Sequence, residues 1–154
     1  MDIGDLLAEG GVVLRSGASS KRQVLNMVAE AAAHALGLDE ARLVEALLER
    51  EALGSTGLGS GVAAPHARVE GIDTVRGVFL RLDTPVAFDA LDDRPVDLIF
   101  ALFAPPKAGA EHLRALAAVS RALRAPEMRE KLRHARTVDA VRALFVRNEA
   151  ATAA

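Results

Sequence analysis

The sequence has no cysteine, which excludes disulfides, thiolate metal sites and cysteine nucleophiles. It also lacks tryptophan and tyrosine, and its five phenylalanines are too few for a platform on which bases or sugars would stack. Charge of one sign is missing too: 19 basic against 21 acidic side chains leave a net charge of −2, which argues against a nucleic-acid footprint. No apolar run approaches the ~20 residues needed to cross a bilayer, so membrane insertion is not expected. The N-terminal MDIGDLLAEGG carries two aspartates and no basic segment, unlike a secretory signal. The expectation is a soluble, cytoplasmic protein.

What is present suits one folded domain. A chain of 154 residues, 51% of them hydrophobic, can bury roughly 70% of its unfolded surface without crosslinks. The segment SSKRQVLNMVAEAAAHALG reads as a helix. Ser20 and Gln23 have the capping-box spacing, Val24, Val28, Ala32 and Leu36 form one apolar stripe, and Gly37 is a stop. A second helix is expected from Asp39 as N-cap to about Ala52, burying Leu43 and Leu47. Strand character lies at Val12–Leu14, at Val62–Ala64 before Pro65, and across TVRGVFLRLDTPVAF. Leu98–Phe103 is continuously apolar and bounded by prolines, as a strand buried on both faces would be, although a buried helical segment shows the same pattern. Helical spacing returns from Ala110 through Leu113, Leu116, Ser120 and Leu123; Pro126 suits the first turn of a further helix and Thr137 the N-cap of the last. One α/β domain over residues 1–148 is expected, followed by a frayed tail at 149–154.

The stretch LGSTGLGSGVAAPHAR, Leu53–Arg68, concentrates glycine ahead of a single histidine. Glycine loses more conformational entropy on folding than other residues, so such a cluster marks unusual turns or close backbone approach. His66 then stands just past a short strand of small residues, where α/β sheets commonly place ligands. His112 has a parallel address, after the Leu98–Phe103 strand and the APPKAGAE loop, in the first turn of the next helix. Backbone N–H groups there favour an anion and disfavour an imidazolium, so a neutral His112 could donate an N–H to an anionic group. His34, in an alanine-rich helix, and His134, near a helix C-terminus, need no chemistry to explain them.

Two histidines beyond strand ends allow two chemistries. A metal site is disfavoured because there is no HExxH, no HxH and no clear carboxylate companion. Nucleophilic catalysis remains: a histidine nitrogen can carry a covalent group, including a phosphoryl. Arg50, in the ERE that ends the second helix, could neutralise phosphate oxygens; its alternative is a surface ion pair with Glu49 or Glu51.

As a set, EREALGSTGLGSGVAAPHA, PVAFDALDDRPVDLIFALFAP and EHLRALAAVSRALRAPE resemble the enzyme IIA proteins of the phosphoenolpyruvate-dependent phosphotransferase system, fructose/mannitol class. The resemblance covers about Leu6 to Phe145. It implies a mixed central β-sheet flanked by helices on both faces. It also implies that His66 is the phosphoryl acceptor, His112 supports the phosphoryl group and Arg50 contacts it. The donor in that family is a histidine-containing phosphocarrier protein, and no metal or organic cofactor takes part. Ala64 departs from the family's larger aliphatic residue, which should matter only to packing.

Two uses of such a carrier compete. A transport subunit would pass the phosphoryl group to an enzyme IIB domain and on to a sugar; a regulatory subunit would act through a target protein that it binds. No IIB or membrane domain accompanies the sequence, and LGSTGLGSG is closer to the nitrogen-regulatory members, so regulation is expected. An interaction module that has lost phosphorylation is disfavoured by Arg50, His66 and His112 occurring together, and a metal-dependent hydrolase is the distant alternative.

Overall fold

The structure, a computed structural model, describes the backbone of residues 2–153 and the side chains of residues 2–146. The side chains of the expected frayed tail, 149–154, lie outside the described residues.

The elements run α1 (Ile3–Leu6), β1 (Leu7–Ser16), α2 (Lys21–Leu36), α3 (Glu40–Ala52), β2 (Gly57–Gly59), β3 (Val62–Ala63), β4 (His66–Arg68), β5 (Arg76–Val86), β6 (Val96–Ala104), α4 (Gly109–Arg124), α5 (Pro126–His134) and α6 (Val138–Ala153). The sheet has the order β1-β5-β6-β3-β2, with β4 also on β6. It is mixed: β1 is parallel to β5, β5 antiparallel to β6, and β3 and β4 both parallel to β6.

Strand β6 organises the interior. Leu98, Phe100, Leu102 and Ala104 join the core under α1, α4, α5 and α6, whereas Ile99, Ala101 and Phe103 join the core under α2 and α3. From Leu98 onward side chains alternate between two covered faces with no place for polarity, which accounts for the unbroken apolar run. All five phenylalanines are buried, and Phe79, Phe100 and Phe145 meet edge to face. Full burial of such a side chain contributes about 1.5–3 kcal/mol relative to exposure.

Helix α2 begins as its sequence predicts: the Gln23 N–H donates to Ser20 Oγ. The return leg of the capping box is displaced by one residue, because Gln23 Oε1 accepts from Ser19 N–H and Ser19 Oγ–H. Gly37 ends the helix at φ +70°, and Asp39 caps α3 through the Ala41 N–H.

Besides β4, a separate strand that His66 opens, two strands differ from expectation. Strand β1 spans ten residues around the expected Val12–Leu14, since Gly10 and Arg15 at positive φ and two register shifts break its alternation. Strand β2 lies inside the glycine-rich stretch and pairs antiparallel with β3. Gly59, Ser60 and Gly61 make that turn with three successive positive φ values. At Gly61 a Cβ would also collide with the Arg133 guanidinium, which bonds the Ser60 carbonyl and grips Asp97 with two nitrogens.

Candidate functional site

His66 follows the end of β3 as expected, but it also opens a further strand, β4. Strands β3 and β4 form one broken strand along β6, with Val62 opposite Leu98 and His66 opposite Leu102. The break falls at Ala64–Pro65, where proline cannot donate to a ladder. The Pro65 carbonyl still accepts from Leu102 N–H at 2.9 Å, and the Ala64 carbonyl is left to face the His66 ring.

That carbonyl fixes the ring's tautomer. His66 Nδ1 lies 3.0 Å from Ala64 O, and a carbonyl only accepts, so Nδ1 carries the proton. Nε2 is therefore a lone-pair nitrogen, and it accepts from Arg50 Nε–H at 3.2 Å. Burial is the main influence lowering the half-buried His66 below its ordinary value; the Ala64 bond and Glu51 oppose it, and the Arg50 and Arg68 charges reinforce it. The ring is a neutral base with its lone pair toward the guanidinium.

Arg50 reaches His66 from the last turn of α3, and its Nη1 is fixed by the Gly54 carbonyl at 2.9 Å. It pairs with neither Glu49 nor Glu51. Glu51 instead turns inward, where Lys21 Nζ, Thr56 N–H and Thr56 Oγ–H all meet its carboxylate.

His112 comes from the opposite side, as the fourth residue of α4, which has no side-chain cap. Its ring centroid is 5.3 Å from that of His66, edge to face. It is only 5% exposed, and burial, followed by the proximity of His66 and Arg68, holds its pKa at about 4. Nδ1 is sealed away with no hydrogen-bond partner among the described residues, so Nε2 is the nitrogen able to serve the site.

The three residues singled out in the sequence thus meet in one place. They line an open depression of about 470 Å³ together with Arg68, Leu53 and Leu113. Arg68 and Leu53 escaped the sequence reading, and Leu113 entered it only through its helical spacing. Arg68 was legible in principle, because two residues along a strand return to the same face. Leu53 and Leu113 are 84% and 67% exposed, and nothing in their periodicity separates such leucines from core ones. The remaining histidines lie elsewhere: His34 is exposed on α2, and His134 donates Nδ1–H to the Glu130 carbonyl on α5. Among the described residues no cluster of His, Asp and Glu is arranged to hold a metal ion, and no helix is long and apolar enough to cross a membrane.

The family described as phosphoenolpyruvate-dependent sugar phosphotransferase system, EIIA 2, matches residues 5–148. The chain belongs to that family. A nitrogen regulatory protein of Bradyrhizobium diazoefficiens is 43% identical over 141 residues, 92% of each chain. The crystal structure of the nitrogen regulatory protein IIA-Ntr from Neisseria meningitidis superposes with a TM-score of 0.87 at 38% identity, covering 93% of this chain and 98% of that one. Enzyme IIA mannitol of Escherichia coli, in its complex with phosphorylated enzyme IIB mannitol, gives a TM-score of 0.75 at 27% identity, covering 91% and 98%. The mixed sheet between two helical layers is this family's fold.

Proposed function

We propose that the chain is a phosphoryl carrier of the phosphotransferase system, in which His66 Nε2 accepts a phosphoryl group from the phosphohistidine of a histidine-containing phosphocarrier protein. One observation carries the reading: the Ala64 carbonyl holds the proton on Nδ1, leaving Nε2 an unprotonated lone-pair nitrogen that faces the Arg50 guanidinium at the wall of the depression. The donor's N–P bond breaks, its imidazole leaving with the bonding pair, and the Nε2 lone pair forms the new N–P bond. No proton has to leave the attacking nitrogen. The positive charge that develops on the ring is stabilised by the Nδ1–H bond to Ala64.

Phosphoryl transfer needs little covalent chemistry from a protein beyond positioning and charge stabilisation. Arg50 supplies a planar fork of donors for the phosphoryl oxygens, and neutral His112 supplies an Nε2–H. The shallow opening suits a protein donor, because the phosphoryl group arrives on a partner's side chain.

The names of the relatives favour a regulatory, nitrogen-type branch, in which the phosphorylated and free forms bind a target protein differently. The neighbour solved with an enzyme IIB partner supports the alternative of onward transfer to a IIB domain in sugar uptake. Incubation with phosphoenolpyruvate, enzyme I and the phosphocarrier tests the carrier chemistry. The wild type should gain one acid-labile, base-stable phosphoryl group and His66→Ala none. Full labelling of His66→Ala, mapped to another histidine, would overturn the assignment.

A further inference from the structure

Glu51 is a carboxylate in the last turn of α3, the end at which the helix dipole disfavours negative charge, and it is only 8% exposed. Three donors compensate it: Thr56 N–H at 2.7 Å, Thr56 Oγ–H at 2.7 Å and Lys21 Nζ at 2.9 Å. An apolar side chain could fill a buried position at lower cost, so the charge calls for a reason beyond packing.

The hydrogen bonds leading away from Glu51 end at the reacting nitrogen. The Thr56 carbonyl accepts from Ala64 N–H at 3.0 Å, and the Ala64 carbonyl in turn accepts from His66 Nδ1–H at 3.0 Å. The same turn serves Arg50. Gly54 N–H donates to the Glu51 carbonyl at 3.1 Å, and the Gly54 carbonyl accepts from Arg50 Nη1–H at 2.9 Å. Arg50 and His66 therefore both take their placement from residues 54–56, and the Glu51 side chain clamps those residues to α3 and, through Lys21, to α2.

We infer that Glu51 is a positioning residue for phosphoryl transfer, acting through Thr56 to hold His66 in its Nδ1–H tautomer with Nε2 facing Arg50. This rests on His66 being the acceptor. Glu51 touches no reacting atom. Its effect belongs in the rate of the transfer step and in the ring of the resting protein, not in affinity for the carrier.

The test replaces Glu51 by leucine, which keeps the bulk and removes the clamp, and by glutamine, which keeps an acceptor for Thr56 N–H. Two readouts are taken: the ¹⁵N ring signals of His66 in unphosphorylated protein above its pKa, and single-turnover phosphorylation at varied carrier concentration. Glu51→Leu should lose the dominance of the Nδ1–H tautomer and transfer about tenfold more slowly, since small misplacements of reacting groups are costly. The half-saturating carrier concentration should stay within about twofold, the pattern of an interaction that acts on the transfer step alone. Glu51→Gln should recover most of both signals. Wild-type ring signals and rate in folded Glu51→Leu would overturn the inference, as would a glutamine variant no better than leucine. Should Glu51→Leu fail to fold, Thr56→Val removes the hydroxyl leg of the clamp, and wild-type behaviour there overturns it equally. Failure of the underlying reading looks different: the wild type itself takes no phosphoryl group on His66, and the ring signals alone then decide whether Glu51 sets the tautomer.

Discussion

Arg50 Nε–H donates to His66 Nε2 across 3.2 Å, so in the resting protein the guanidinium covers the lone pair that would attack phosphorus. If His66 is the acceptor as proposed, an incoming phosphoryl group would displace that bond, and the arginine would need only to tilt to exchange an imidazole acceptor for phosphoryl oxygens. Its second anchor, Nη1 on the Gly54 carbonyl, can persist through the exchange. Arginine is suited to this by a rigid fork of donors that lysine does not possess.

Arg50→Lys should therefore separate charge from geometry. The substitution forfeits charge-assisted hydrogen bonds to His66 and the Gly54 carbonyl, worth about 1.5–3 kcal/mol each when buried and less at this open site where water and the lysine ammonium replace them, so melting should fall by only a few degrees. Single-turnover transfer from the phosphorylated carrier should slow at least several-fold. A wild-type transfer rate in this variant would mean that Arg50 holds the turn at Gly54 and does nothing for phosphate.

The legible parts of the fold were those whose signals are local. Ser20 and Gly37 bound α2 because a cap and a left-handed stop depend on residues within one turn. The apolar run of β6 announced full burial because each residue reports its own burial, while its pairing with β3, β4 and β5 is what makes it a strand and not a buried helix. Strand β2 was not legible, since its Gly-Leu-Gly has no pattern and exists only by pairing with β3. Of the site, His66, His112 and Arg50 stood out through their neighbours in sequence, whereas the contact between the histidines depends on β4 and α4 meeting across β6. Glu51 was visible only as a possible partner for Arg50. Its inward rotamer is decided by Lys21 and Thr56, which no spacing rule connects to it.

His112 gives the protein a pH dependence of known sign. Burial, reinforced by His66 and Arg68, holds its folded pKa at about 4 against an ordinary 6.5. Between those values the unfolded chain binds a proton that the folded chain refuses. The stabilisation is therefore complete above pH 6.5, declines as pH falls toward 4, and declines no further below it. His66, lowered in the same direction by burial, adds to the loss of stability as pH falls below its ordinary value. Thermal melting of wild type and His112→Gln at a series of pH values isolates the His112 share, because the carboxylates common to both cancel. The wild type should lose more stability than the variant on acidification through this window. Equal losses would mean that the folded protein does not keep His112 neutral.

Leu53 and Leu113 flank the two histidines on opposite sides, one after α3 and one on α4, and both project into solvent. On the proposed reading these leucines lie on the rim that a docked carrier would cover, beside Arg50 and Arg68. They are far too open to support the fold, so removing them should leave melting nearly unchanged. Covering one such side chain on association is worth at most about 1.5–3 kcal/mol, and less where burial is partial. Leu53→Ser and Leu113→Ser should therefore each raise the half-saturating concentration of phosphorylated carrier several-fold. The maximal single-turnover rate should stay near wild type, because neither leucine touches the phosphoryl group. A reduced maximal rate at unchanged half-saturation would place the leucines in the chemistry and not in docking.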